Sequence, residues 1–121
     1  MTNGLKIAHA RSGGVCVVTL TGRIDNSNAK EVVSALDGLI GSGEKSILLD
    51  LASVIYLTSA AFRALLVATD QAERNAARLA LCGITGHVRD LFEMGGLIDS
   101  FTILGSRDEA LARLAQGAAA R

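Results

Sequence analysis

The amino-acid sequence predicts a single α/β domain built on a mixed sheet. Three observations carry this reading. Two apolar runs near the N-terminus flank a glycine turn, the mark of an antiparallel hairpin. After it, short apolar runs alternate with segments of helical periodicity as far as the C-terminus, as expected for a sheet with helical crossovers. The chain of 121 residues, half of them hydrophobic, suffices for one core but hardly for two.

Each element has its own justification. Residues 5–10 and 15–20 are the hairpin strands, joined by Arg11-Ser12-Gly13-Gly14. Residues 22–27 read as a polar loop ending in good capping residues. In the helix that follows, Ala29, Val32, Val33, Leu36, Leu39 and Ile40 recur at i, i+3, i+4, i+7 spacing, and Gly41-Ser42-Gly43 ends it. Residues 47–51 form a short apolar strand. A second helix spans 59–76, with Phe62, Leu65, Leu66 and Thr69 toward the core and Asp70 and Arg74 set four apart as a stabilising pair. Residues 78–82 form the next strand. Thr85 can cap a third helix, which carries Val88, Leu91 and Phe92 and stops at Gly95-Gly96. Residues 101–104 are a last short strand. Ser106-Arg107-Asp108-Glu109 fits the capping box, in which Ser and Glu side chains satisfy backbone donors reciprocally. It opens a terminal helix through Leu111 and Leu114, and the alanine-rich residues 116–121 read as a frayed end.

Composition excludes several function classes. Only 3% of residues are aromatic, so Leu, Val, Ile and Ala must build the core. Twelve basic and twelve acidic residues balance to zero, which leaves no electrostatic footprint for nucleic acid or an anionic membrane. Cys16 and Cys82 lie in apolar runs, the setting of buried, reduced thiols. The N-terminus lacks a signal-peptide pattern, and no apolar run approaches the roughly 20 residues that span a bilayer. A soluble, cytoplasmic protein is expected.

The candidate chemistry is sparse. Residues 38–46 resemble a phosphate loop, but Glu44 separates the second glycine from Lys45, and the segment ends a helix rather than opening one. His9 and His87 are far apart and form no ligand cluster with the two cysteines, so no metal or other cofactor is expected. Ser59 has no nucleophile elbow and no histidine signature to activate it, so enzyme activity is not expected. What remains is Thr58-Ser59, between an apolar strand and a helix. Hydroxyls there are either ordinary helix caps, worth about 1 kcal/mol, or a regulatory phosphoacceptor. Asp25, in a polar loop before a helix, is on its own ordinary turn chemistry.

Residues 49–66, Leu-Asp-Leu-Ala-Ser-Val-Ile-Tyr-Leu-Thr-Ser-Ala-Ala-Phe-Arg-Ala-Leu-Leu, resemble the signature of STAS domains, which include the bacterial anti-anti-sigma factors (anti-sigma factor antagonists). Three further pieces follow the family pattern in order: Thr21-Gly22-Arg23-Ile24-Asp25, the run from His87 to Leu97 with one extra glycine, and the ending Phe101 to Leu104 with Asp108 to Leu111. The resemblance covers nearly the whole chain. It implies a mixed sheet of four to five strands flanked by about four helices, and a non-enzymatic regulatory module.

By that resemblance Ser59 is the switch residue, with Thr58 as the alternative acceptor. An anti-sigma factor with serine kinase activity would bind through Asp25, Thr58, Ser59, Ala60 and Arg63 and would phosphorylate the switch; a PP2C-type phosphatase would reverse it. The family also contains constitutive structural subunits, of lipid-transport ABC complexes or stressosome-like scaffolds, in which Thr58 and Ser59 would be caps or contacts only. Three positions depart from the pattern: Thr58 stands where many members have Asp or Ser, Ala61 where Gly is usual, and Phe62 where Leu is usual. The Ala61 methyl is expected near the docking surface, and the core is expected to absorb Phe62.

Overall fold

A computed structural model of the protein describes residues 4–84, 86–96 and 98–119, the side chains of 115–119 excepted. Four strands, β1 (Leu5–Ser12), β2 (Val15–Ile24), β3 (Ser46–Leu57) and β4 (Arg78–Cys82), form one sheet in that order. β1 and β2 pair antiparallel, whereas β2–β3 and β3–β4 are parallel. Parallel neighbours require crossovers, and α1 (Ala29–Gly41) and α2 (Ser59–Arg74) supply them. α3 (Gly86–Met94), a 3₁₀ turn at Ile98–Ser100 and α4 (Arg107–Ala119) complete the chain. The α/β class, the mixed sheet and the four helices match the sequence expectation.

The hairpin turn is tighter than its sequence suggests. Ser12 still pairs with Val15, leaving Gly13-Gly14 as a two-residue loop with φ of 56° and 84°. Positive φ at both central positions matches the right-handed twist of the flanking strands.

Alternation along the strands sorts the core into two layers. Cys16, Val18, Leu20, Ile47, Leu49, Leu51 and Leu81 face α1, α2 and α3 in the larger layer. Val15, Val17, Leu48, Ala80 and Cys82 face α4, through Ala110 and Leu114, in the smaller one. The sheet is therefore covered on both sides, which explains the unbroken apolar run at the start of β3. Phe92 is fully buried and makes edge-to-face contacts with Phe62 (4.8 Å) and Phe101 (5.5 Å), so the core does absorb Phe62. On the α4 side, Asp50 is buried beneath Arg107, accepts the Ala52 N–H at 3.0 Å and stands 3.7 Å from the guanidinium.

Several boundaries differ from the sequence reading. β2 and β3 run on to Ile24 and Leu57, so Gly22-Arg23-Ile24 and the stretch before Thr58 are strand rather than loop. The extension is irregular, with register shifts between Thr19 and Thr21 and between Gly22 and Arg23. Gly22 sits there at φ 107°, where a Cβ would lie 2.2 Å from the Gly4 carbonyl oxygen. α2 ends at Arg74 because Ala76 turns left-handed (φ 57°) and the Ala77 N–H folds back to the Ala72 carbonyl. Its buried face is Ala61, Phe62, Ala64, Leu65, Ala68 and Ala72, with Leu66 and Thr69 only half-buried.

The strand expected at 101–104 is one parallel bridge, Leu81 to Ile103. α4 runs as helix to Ala119. Ser106 Oγ accepts the Glu109 N–H at 3.1 Å, one half of the capping box. The Thr85 cap, Leu97 and the end residues Ala120 and Arg121 lie outside the described residues. No described helix is long and apolar enough to cross a membrane.

Candidate functional site

The extended β2–β3 pairing builds the site. Ile24 pairs with Leu57, and the Thr58 N–H donates to the Ile24 carbonyl at 3.1 Å. The β2–α1 loop and the start of α2 are thus side by side at the carboxyl ends of adjacent parallel strands, where α/β sheets usually present their functional groups.

The loop is internally braced. Asn28 is fully buried; its Oδ1 accepts the Asp25 N–H at 2.9 Å and its Nδ2 donates to the Arg23 carbonyl at 3.0 Å. Asp25 Oδ1 accepts from the Ser27 hydroxyl (2.6 Å) and the Ser27 N–H (2.9 Å), the turn chemistry that its sequence setting suggests. The Ser27 hydroxyl first, and its N–H second, hold the Asp25 carboxyl below the ordinary carboxylate range.

The two hydroxyls at the start of α2 are not equivalent. Thr58 occupies the N-cap position with extended backbone (φ −96°, ψ 175°), yet its side chain makes no capping hydrogen bond. Its Oγ1 donates instead to Asn26 Oδ1 across the site, at 3.3 Å, and the residue is half-buried. The helix start is served by the Thr58 carbonyl, which accepts the Phe62 N–H at 3.1 Å. Ser59 is exposed, and its hydroxyl has no hydrogen-bond partner among the described residues. The capping role open to these residues in sequence is therefore filled by neither hydroxyl.

Two shallow grooves flank the first turns of α2, and Ser59 lines the first of them. This one, of about 660 Å³, runs between α2 and α3 and is lined by Tyr56, Phe62, Leu66, Leu91 and Met94. The other, of about 360 Å³, runs between α1 and α2 over Ala29, Val33, Ala60, Ala64 and Val67. Arg63 borders both, and Lys30 borders the second. Met94 is 84% exposed and Val67 47%, so a large apolar side chain meets water in each groove. Patches of this kind next to polar groups mark interaction surfaces. The Tyr56 ring has the Arg23 guanidinium 5.8 Å from its centroid and the His87 ring stacked at 5.9 Å.

Of the residues singled out from sequence, Thr58, Ser59, Ala60 and Arg63 line these grooves, and Asp25 sits in the adjoining loop. One expectation is corrected. Ala61 is 0% exposed, so its methyl lies in the core rather than at the surface, where the resemblance led it to be expected. Asn26, Asn28, Lys30, Tyr56 and Met94 escaped sequence reasoning. Only Tyr56 carried a signal there, as the sole tyrosine of the chain at the end of an apolar strand.

Comparison with known proteins agrees with this architecture. The STAS domain family model matches residues 6–110. A protein of Bordetella bronchiseptica named as an anti-sigma factor antagonist, BtrV, is 30% identical over 108 residues, covering 89% of this chain and 93% of that protein. Among solved structures, an anti-sigma factor antagonist from Mycobacterium paratuberculosis superimposes with a TM-score of 0.81 at 20% identity, over 91% of this chain and 93% of that one. The Bacillus cell fate determinant SpoIIAA in its phosphorylated form gives 0.67 at 18% identity, over 90% and 97%. At such identities the two structures speak for the fold. With the family model spanning most of the sequence, the chain belongs to the STAS domain family.

Proposed function

We propose that this chain is an anti-sigma factor antagonist, a binding module without enzymatic activity of its own. In this reading it docks an anti-sigma factor with serine kinase activity through the grooves around Ser59, and phosphorylation of Ser59 releases that partner. A PP2C-type phosphatase resets it, and the cycle runs in the cytoplasm, where ATP supplies the phosphate. The observation that carries the reading is the contrast between neighbouring hydroxyls. Ser59 Oγ is exposed and uncommitted on the wall of the apolar α2–α3 groove, whereas Thr58 Oγ1 is half-buried and engaged by Asn26. A kinase needs the first kind of hydroxyl. The name carried by the Bordetella relative supports the partner class.

A phosphate adds about −1.5 to −2 charges. At the first turn of α2 the free chain tolerates it, since helix N–H groups favour an anion. In a closed interface it costs on the order of 3–5 kcal/mol, the scale of an uncompensated buried charge. The test is intact mass after incubation with a purified anti-sigma factor kinase and ATP. One phosphate, mapped to Ser59 and absent from Ser59→Ala, is expected. A modification mapped elsewhere, or none with a kinase active on its own partner, returns the chain to a constitutive structural role.

A further inference from the structure

Ser59 and Arg63 stand four residues apart on α2. That spacing places two side chains over one another on a helix face, with Cβ atoms about 5–6 Å apart. Both line the groove between α2 and α3. Arg63 is also uncommitted. Arg11, Arg74, Arg89 and Arg107 are paired with Glu44, Asp70, Glu93 and Asp50, whereas Arg63 is exposed and has no ion pair or hydrogen bond among the described residues. No acidic residue lines either groove that Arg63 borders, and on the α1 side its companion is a second cation, Lys30. The chain thus keeps a guanidinium free within reach of Ser59, in surroundings that offer it no anion.

We propose that Arg63 is the internal counter-ion for a phosphate on Ser59. The claim rests on the reading of Ser59 above and adds the residue that responds to the modification. In the unmodified chain Arg63 and Lys30 form the cationic border of the α1–α2 groove, suited to an acidic partner segment. Once Ser59 carries a phosphate, the planar guanidinium fork closes on the phosphate oxygens in a charge-assisted pair. Phosphorylation then changes the surface twice, by adding a dianion and by withdrawing one of the two cations that would meet the partner.

The test needs no kinase. Phosphoserine is placed at position 59 by genetic-code expansion, and ³¹P NMR follows the second ionisation of the phosphate, ordinarily near pH 6. The midpoint is expected about half a pH unit lower in the parent protein than in Arg63→Gln, because the pair favours the dianion. Lys30→Gln is expected to move it by only about 0.1 unit, since exposed charges farther off are screened. Asp25, the nearest carboxylate in the adjoining loop, is common to all three samples. Equal midpoints in the parent and R63Q proteins overturn the proposal. An equal effect of K30Q overturns it too, because the pair then reduces to the general field of two cations. If no kinase ever modifies Ser59, these midpoints still stand, and only the preceding functional reading falls.

Discussion

Replacing Asn28 by Ala probes the link between core and site most sharply. Asn28 is 0% exposed, and its amide satisfies the Asp25 N–H and the Arg23 carbonyl at 2.9 and 3.0 Å. Truncation leaves both backbone groups without these partners, at about 1–3 kcal/mol each when water cannot replace the lost bond. Arg23 is exposed and Asp25 half-buried, so water can relieve part of the loss, and the lower half of that range applies. The expected destabilisation is about 2–4 kcal/mol, or roughly 8–16 °C in Tm for a domain of this size. Stability of about 5–15 kcal/mol leaves the variant folded. Urea denaturation followed by circular dichroism gives the energy, and amide NMR spectra locate the change. Shifts should concentrate at residues 23–29 and spread to Thr58, whose hydroxyl reaches this loop through Asn26. A loss below about 0.5 kcal/mol, the ordinary scale of a surface substitution, with unshifted Thr58 signals would refute the bracing role of Asn28.

Three other substitutions or titrations test the frame. Gly22→Ala should destabilise by about 3 kcal/mol or more in the same urea assay, since φ 107° and a Cβ 2.2 Å from the Gly4 oxygen leave it no room. Ala76→Gly should stabilise by about 0.5–1 kcal/mol, because relief of a left-handed alanine exceeds the entropy that glycine adds to the unfolded chain. Burial first, and the Asp50 carboxylate second, push the Cys82 thiol from 9.0 up to about 11. The folded state therefore disfavours the thiolate: this group's contribution to stability is complete below about pH 9 and is lost as pH rises from 9 through 11. A denaturation series over that range checks the direction, and iodoacetamide at pH 8 should label Cys82 only after unfolding.

Much of the fold was legible because the chain is regular where packing dominates. A short apolar run placed β4 and the 3.6-residue pattern placed α1 almost to the residue, and the Asp70–Arg74 pair forms at 2.8 Å as its spacing implies. The errors cluster where tertiary pairing overrides local composition. Gly22-Arg23-Ile24 looks like loop, yet the irregular register with β3 keeps it in the sheet. Phe101 to Leu104 has strand composition, but it lies at the edge of the sheet and pairs through one bridge only. At the site, sequence located Thr58 and Ser59 and put Ser59 first by resemblance alone, with no physical basis for ranking their hydroxyls. The ranking depends on Asn26, 32 positions away, which the fold alone brings to Thr58. Ala61 was misplaced for a related reason: the helical phase of α2 is set by small residues facing the sheet, which a search for large apolar positions overlooks.

The central claim is that charge at Ser59 governs docking, and the most direct measurement is the affinity of a purified partner anti-sigma factor by calorimetry. The comparison is between the Ser59→Ala protein and the same chain carrying phosphoserine at position 59. A cost of about 3–5 kcal/mol predicts tight binding by the first and at least about 100-fold weaker binding by the second. Equal affinities would contradict the account.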